Sequence, residues 1–383
     1  MPQQFTTNDL KIAAQASVAT GTTIWGTVQI LDYFKVLIVS SYGLLGPELI
    51  LLTSVLLGVT FAGVRAYRRK TTIVFSIFDK LLPYLPLFLA IEAGYFRKRG
   101  IEVQIVCAHG DRETWNCVEE GRADFGLSDP VVMLHENAKG GRLIATIVNK
   151  ATFCGITQKC LPYFHEISEV PKRLTFSGYE EPTTTYRVLT YFKNMCEAKI
   201  EYFKSGEEEA AARNPNVDVV LLPEPFASEW VEKHKGYAQV VDGPILFGEL
   251  AWSGVYCTKE YLNDHADIAL RVVAALQEAL LHIRSNPLHT QQIALDVFHG
   301  FDSTAICTAT LKMIKQSVFP SDLITSRTEW THALDFWGLS EKKFMFEHYV
   351  DNSFAHAASK GANPSVKRDA VKAQRPYLDV RRH

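Results

Sequence analysis

Apolar positions in this chain change period several times, and each change marks an element. From Leu44 to Val64 the run LLGPELILLTSVLLGVTFAGV is apolar on all sides rather than along one stripe, the pattern of a helix surrounded by lipid or by core. At about 1.5 Å per residue it is long enough to cross a bilayer. Pro47 and Glu48 sit near its start, where a proline fits a first turn and a charge reaches the interface. It ends at Arg65, Arg68, Arg69 and Lys70. A transmembrane helix over 44–66 is the leading reading, with a buried hairpin of a soluble protein as the alternative. Within residues 1–43, the uncharged stretch Ile12 to Leu31 stays open between a weak second membrane helix and an amphipathic surface helix. No basic segment directly precedes the apolar run, so a cleavable signal peptide fits poorly.

After Lys70 the period shortens. Thr71 to Phe78 is β-branched and aromatic and reads as a strand. Pro83 and Pro86 turn the chain into a helix over Leu87 to Phe96, punctuated by Gly94 and Gly100. Ile101 to Cys107 alternates as a second strand. Glu113 to Glu120 reads as a short helix, Ala123 to Leu127 as a strand, Val131 to Lys139 as a helix and Leu143 to Asn149 as a strand. Strands alternating with helices predict an α/β sheet that is mostly parallel. The pattern then restarts. Arg173 to Phe176, Lys199 to Lys204 and Val217 to Leu222 read as strands, with helices at Thr185 to Met195 and Glu207 to Arg213. Trp252 to Cys257 is a further strand. From His265 onward the chain is mainly helical, with Ala269 to Ile283 at helical period. Residues 359–383 turn polar and basic and form a flexible tail or a segment docked on a partner.

Composition changes this picture little. The 383 residues carry a formal net charge of -2, and 47% are hydrophobic, enough for two lobes with a shared core. Near-neutrality leaves no electrostatic footprint for nucleic acid. Seven cysteines at irregular spacing make no disulfide framework and no CxxC metal knuckle; they read as buried free thiols, which suit a reducing compartment. The basic cluster after the apolar run places the chain beyond Lys70 on the cytoplasmic or matrix side by the positive-inside rule. No GxSxG, HExxH, P-loop or strand–helix GxGxxG appears, so no catalytic residue, cofactor or metal is assigned.

Two blocks carry a resemblance. LPYLPLFLAIEAGYFRKRGIEVQIV (Leu82 to Val106) is followed by EEGRADFGLSDP (Glu119 to Pro130). Together they resemble the solute-binding proteins of ABC importers for nitrate, sulfonates, taurine and thiamine-precursor pyrimidines. Pro86, Leu87, Ala90, Glu92, Gly94, Tyr95, Phe96, Gly100, Ile101 and Val103 match the first motif, and Gly121, Asp124, Phe125 and Gly126 the second. LLPEPFASEW (Leu221 to Trp230) and YVDNSFAHAA (Tyr349 to Ala358) echo later segments. The resemblance implies a type-2 periplasmic-binding-protein-like fold: two α/β lobes joined by two crossovers, with the ligand between them. Lobe one would be 71–159 and 251–358, and lobe two 160–250. It also implies a periplasmic or extracellular position, against the charge rule. Two departures stand out. The usual lipoprotein or export signal is lacking, and the phosphate-like turn of lobe two is replaced by Ser177 to Thr185 (SGYEEPTTT), whose two acids argue against an anionic ligand.

Ligands of open α/β sheets bind beyond the carboxyl ends of strands, and that rule selects turns. After the first strand come Asp79 and Tyr84; after the second come His109, Gly110 and Asp111; after the third come Ser128 and Asp129. In lobe two, Ser177, Tyr179, Thr183 and Thr184 precede a helix whose free N–H groups can hold a polar group. Glu224 and Trp252 lie at comparable ends. The ligand candidates are therefore Asp79, Tyr84, His109, Ser128, Asp129, Ser177, Tyr179, Thr183, Thr184, Glu224 and Trp252. Each also has a plain structural role open to it: helix caps for Thr183, Thr184 and Ser128-Asp129, solvated turns for Asp79, His109 and Glu224, core aromatics for Tyr84 and Trp252. The function expected is capture of a small polar or heteroaromatic solute by a membrane-anchored binding protein serving an ABC permease or another membrane complex. The alternatives are an enzyme of the thiamine-pyrimidine-synthase type, whose cysteine-rich run has no match here, and an accessory membrane subunit with a vestigial cleft.

Overall fold

The computed structural model describes residues 71–134, 140–181, 183–204 and 206–361. The Leu44 to Val64 run, residues 1–43 and the tail beyond residue 361 lie outside the described residues. Among the described residues no helix is long and apolar enough to cross a membrane.

Among the described residues ten strands build two five-stranded sheets. The first holds β1 (Thr71–Ile77), β2 (Ile101–Cys107), β3 (Phe125–Ser128), β4 (Gly141–Lys150) and β10 (Glu249–Thr258), in the order β2-β1-β3-β10-β4. The second holds β5 (Phe153–Thr157), β6 (Thr175–Tyr179), β7 (Lys199–Phe203), β8 (Val219–Pro223) and β9 (Ala238–Asp242), in the order β7-β6-β8-β5-β9. The two orders are the same pattern repeated. β1 pairs in parallel with β2 and β3, as β6 does with β7 and β8. One strand in each sheet runs against the rest: β10 pairs antiparallel with β3 and β4, and β5 with β8 and β9.

The reversed strands are the ones that cross between sheets. β4 leads into β5 through Ala151 and Thr152, and β9 returns into β10 through the short Gly243–Leu246 helix. The crossing chains run side by side, with Glu249 opposite Lys150 and Asp242 opposite Cys154. Gly243 is required at this place: a Cβ there would lie 2.4 Å from the Ala151 carbonyl oxygen, well inside contact distance.

Sequence pattern and structure part in a few places. The helix expected over Leu87 to Phe96 is two, Leu85–Glu92 and Tyr95–Lys98, because Gly94 adopts a left-handed φ of 74° and ends the first. The expected Val131 to Lys139 helix is a single 3-10 turn over Pro130–Met133; residues 135–139 are outside the described residues. β5 and β9 were not legible. All five residues of β5 are buried, so it shows no alternation. The free thiols are buried at Cys117, Cys154, Cys196 and Cys257 only; Cys160 is exposed, and Cys107 and Cys307 are half-buried.

Behind the first sheet lies the Lys259–Ser285 helix, whose Leu270, Val273, Leu276 and Leu280 are buried. The Leu85–Glu92 helix packs on it, buried from Leu85 to Ala90. The Ser303–Lys315 helix packs on the Pro287–Val297 helix on one side and on the Phe226–Lys233 helix beside the second sheet on the other. The C-terminal segment therefore ties both sheets together, and it meets the crossovers where Lys150 Nζ donates to the Gln316 carbonyl and Gln316 donates to Asp242.

Candidate functional site

The parallel strands of both sheets end on one cavity of about 70 Å³. From the first sheet come Phe78 and Tyr84 after β1, Asp111 at the start of the Asp111–Glu119 helix, and Asp129 after β3. From the second come Tyr179 at the end of β6, Thr183 to Thr185 at the start of the Thr184–Cys196 helix, and Pro223 at the end of β8. The crossover strands supply Thr152, Phe153, Trp252 and Ser253. Trp252 is held by Phe153 and Phe336, with ring centroids 5.8 and 6.0 Å away. The walls combine aromatic rings (Phe78, Tyr84, Phe153, Tyr179 and Trp252) with hydroxyls and two carboxylates, a mixed lining that can hold an apolar body and fix a polar group.

The polar groups converge on one contact across the cleft. Thr183 caps its helix, its hydroxyl accepting from the Tyr186 N–H. Thr184 then points its free N–H and hydroxyl at the first sheet, donating to Asp111 Oδ2 at 3.2 and 2.7 Å. The Thr184 hydroxyl is also 3.4 Å from Asp129 Oδ2. Asp129 Oδ2 accepts from the Trp337 indole N–H at 2.7 Å, and Oδ1 from the Val131 N–H at 2.9 Å. The Asp129 N–H reaches Asp111 Oδ1 at 3.5 Å. Both aspartates are only 4% exposed. Burial raises the Asp111 carboxyl above its ordinary range, with the hydrogen bonds from Thr184 opposing. Burial and then the Asp111 charge push Asp129 up to about 8. The charge on Asp111 thus works against ionisation of its neighbour Asp129. Arg187 lies 4.6 Å over the Trp337 ring, a second contact between the two sides.

Of the candidates from sequence, Tyr84, Asp129, Tyr179, Thr183, Thr184 and Trp252 line this cavity. Five stand elsewhere. His109 is exposed at a left-handed φ of 55°, its Nδ1 3.4 Å from Asp79 Oδ2, and neither lines the cavity. Ser128 is buried beneath, bonded to the Tyr256 hydroxyl at 2.7 Å. Ser177 is buried within β6. Glu224 faces away from the cavity into a buried polar cluster. Its Oε1 accepts from Lys312 Nζ at 3.1 Å and from the Ser228 hydroxyl at 3.0 Å. Lys312 also reaches Cys154 Sγ at 3.0 Å, Gln239 Oε1 at 2.9 Å and Asp242 Oδ2 at 3.4 Å. Burial opposes the Lys312 charge, but Cys154, Glu224 and Asp242 outweigh it and hold its pKa above the ordinary value.

Sequence reasoning placed Asp111 in the right turn but passed over it for His109. An aspartate opening a helix reads as a cap, although here the Gly110 N-cap makes no side-chain bond and the Asp111 carboxylate points across the cleft. Trp337 was missed entirely. It lies 208 residues from Asp129, and nothing local marks it.

Two sheets of this order, crossing twice and closing on a cavity at their strand ends, define the bilobal solute-binding class of fold. The family model described as NMT1/THI5 like matches residues 83–290. The chain belongs to that family, and the resemblance read from its motifs is borne out. Among solved structures, the periplasmic nitrate-binding protein NrtA from Synechocystis PCC 6803 is 13% identical at a TM-score of 0.58, covering 79% of this chain and 91% of that one. The periplasmic aliphatic sulphonate-binding protein SsuA from Escherichia coli is 13% identical at a TM-score of 0.55, covering 74% and 91%. The Bacillus subtilis protein YtlA, named a candidate binding protein, is 23% identical over 268 residues, 64% of this chain and 77% of that one. At such identities the structural likeness speaks to the fold alone.

Proposed function

We propose that this protein captures a small solute between its two lobes without turning it over, anchored to a membrane through Leu44 to Val64 and handing the solute to an ABC permease. One observation carries the reading: the strand ends of both sheets share a cavity lined by five aromatic side chains and two buried carboxylates. A vestigial cleft would have no need to keep charge out of water, which costs stability. The cross-cleft contact of Thr184 with Asp111 is polar and exchangeable, so opening the lobes trades it for solvent or ligand. The proposed moving bodies are the two sheets with their helices. They divide at the crossovers rather than at 159 and 251, since β5 (Phe153–Thr157) belongs to the second sheet and β10 starts at Glu249 in the first, and Gly243 with Ala151 lies where they would bend. The alternatives of an enzyme on the same fold and of an accessory subunit have no feature in the cavity that favours them.

The test is a thermal-shift screen of the full chain against nitrate, sulfonates, pyrimidines, amino acids and flavins, with product analysis of each hit. Saturable stabilisation by one compound, recovered unchanged, is expected. A chemically altered product would move the assignment to an enzyme, and silence across the panel would defeat solute capture. Reporter fusions at the C-terminus test the anchor and decide which side of the membrane holds the lobes.

A further inference from the structure

In this fold the N-terminus of the Thr184–Cys196 helix opens onto the cleft, and its free N–H groups suit an anion. Here that position is already filled by the chain itself, because Asp111 takes both donors of Thr184. A second carboxylate, Asp129, stands beside it, and both are all but inaccessible to water. Every donor they receive is neutral: a threonine hydroxyl, an indole and backbone N–H groups. Among the described residues no Lys, Arg or His forms an ion pair with either. Buried charge met only by dipoles remains uncompensated. Tyr84, Phe153 and Trp252 line the same cavity, and aromatic rings favour a cation over an anion at their faces.

We infer that the ligand bears a cationic head, an ammonium or amidinium group, set against Asp111 and Asp129, on a flat apolar body held among Tyr84, Phe153 and Trp252. This rests on the solute-capture reading and names its substrate class. A nitrate or sulfonate brought to the same place would meet two carboxylates instead of a free helix end. The cation displaces the Thr184 contact as the lobes open, and Thr184 returns to the carboxylate edge left free by the ligand.

The experiment uses five probes of one size and different charge on the full chain: benzamidine, benzylamine, benzyl alcohol, benzoate and benzenesulfonate. Calorimetric titration is expected to show saturable binding of the two cations, at least about tenfold tighter than either anion, the scale of one charge-assisted contact. The double variant Asp111→Asn with Asp129→Asn is expected to reverse this order, losing benzamidine and gaining benzenesulfonate at the freed helix end. Where that variant does not fold, Asp129→Asn alone keeps the Asp111 contact and is expected to weaken benzamidine about tenfold. Tighter binding of an anion by the wild type overturns the inference and leaves solute capture standing. Equal binding of all five probes does the same. If no probe binds while the metabolite panel yields a ligand, the charge inference alone fails; if the panel is silent too, solute capture fails and takes the inference with it.

Discussion

Two buried pairs of carboxylates sit at the strand ends of this protein, and they are built in opposite ways. Glu224 and Asp242 surround Lys312, which crosses from the Ser303–Lys315 helix to reach both, at 3.1 and 3.4 Å. Gln316 donates to Asp242 Oδ2 at 2.6 Å and Ser228 to Glu224, so the cluster carries its own cation and donors, although Asp242 Oδ1 is left without a hydrogen bond. Asp111 and Asp129 have comparable burial and, among the described residues, no cation paired with them. The first pair holds a C-terminal helix to the second sheet. The second pair lines a cavity. A buried charge cluster that closes on itself is a fastening, whereas one left short of a counter-charge at a cavity stores an affinity. Sequence reading placed Glu224 among the binding candidates because it lies at a strand end. Its partner there is the lysine 88 residues further on.

The contrast is open to attack from both sides. The largest effect is expected from Lys312→Met, which strips the cation from two buried acids. Loss of about 3–5 kcal/mol in chemical denaturation is expected, with the ranking of cations over anions unchanged in any variant that remains folded. A loss under about 1 kcal/mol would show that Glu224 and Asp242 do not depend on it.

Asp129 supplies the next test, through pH. Its folded pKa, near 8, lies above the unfolded value near 4. Between those values the folded state holds the extra proton, so this group's contribution to stability is complete below about pH 4 and is lost as pH rises through about 8. The groups facing it are Asp111, Tyr84 and Tyr256, with Thr184 and Trp337 donating. A melting temperature that falls over this range in the wild type, and falls less in Asp129→Asn, is expected. Identical slopes would mean that Asp129 is not the group carrying the proton. Cation binding displaces the same proton, so benzamidine is expected to bind tighter as pH rises toward 8.

A smaller effect is expected from Trp337→Phe, which removes the indole donor from Asp129 and keeps the ring. Hydrogen bonds to charged groups contribute about 1.5–3 kcal/mol, and a further upward shift of the Asp129 titration, followed by NMR, would accompany the loss. An unmoved titration would place the indole outside the pair's electrostatics. The mildest change is Thr184→Val. It deletes one hydroxyl donor and leaves the backbone N–H on Asp111, so a loss of about 0.5–1.5 kcal/mol is expected from denaturant melts. Because the hydroxyl competes with the ligand, benzamidine should bind this variant at least as well as the wild type; weaker binding would make Thr184 a ligand contact rather than a competitor.

Much of the architecture was legible because it is written in local periods. β-branched runs at Thr71 and Ile101, the glycines at 94 and 121, and the restart after Pro171 announce two α/β units, and their strand ends pick out Tyr84, Asp129, Tyr179, Thr184 and Trp252. β5 escaped because a strand buried on both faces shows no alternation, and β9 because five residues, exposed at Ala238 and buried from Val240 to Asp242, are too few to show a period. Asp79 and His109 were selected by the same rule that selected Asp129, yet they stand outside the cavity, since a turn contains several polar side chains and position along the chain does not say which one faces inward.

What the sequence determined by itself, then, is which segments are strands and helices, how the strand–helix pattern repeats, and that several polar residues stand at strand ends. These depend on backbone propensity and on burial of neighbours a few residues apart. Tertiary structure alone decided which carboxylates share a cation and which meet only neutral donors. Lys312 and Trp337 come to their partners over 88 and 208 residues, and electrostatic energy depends on distance through space and on exclusion of water, neither of which is encoded in separation along the chain.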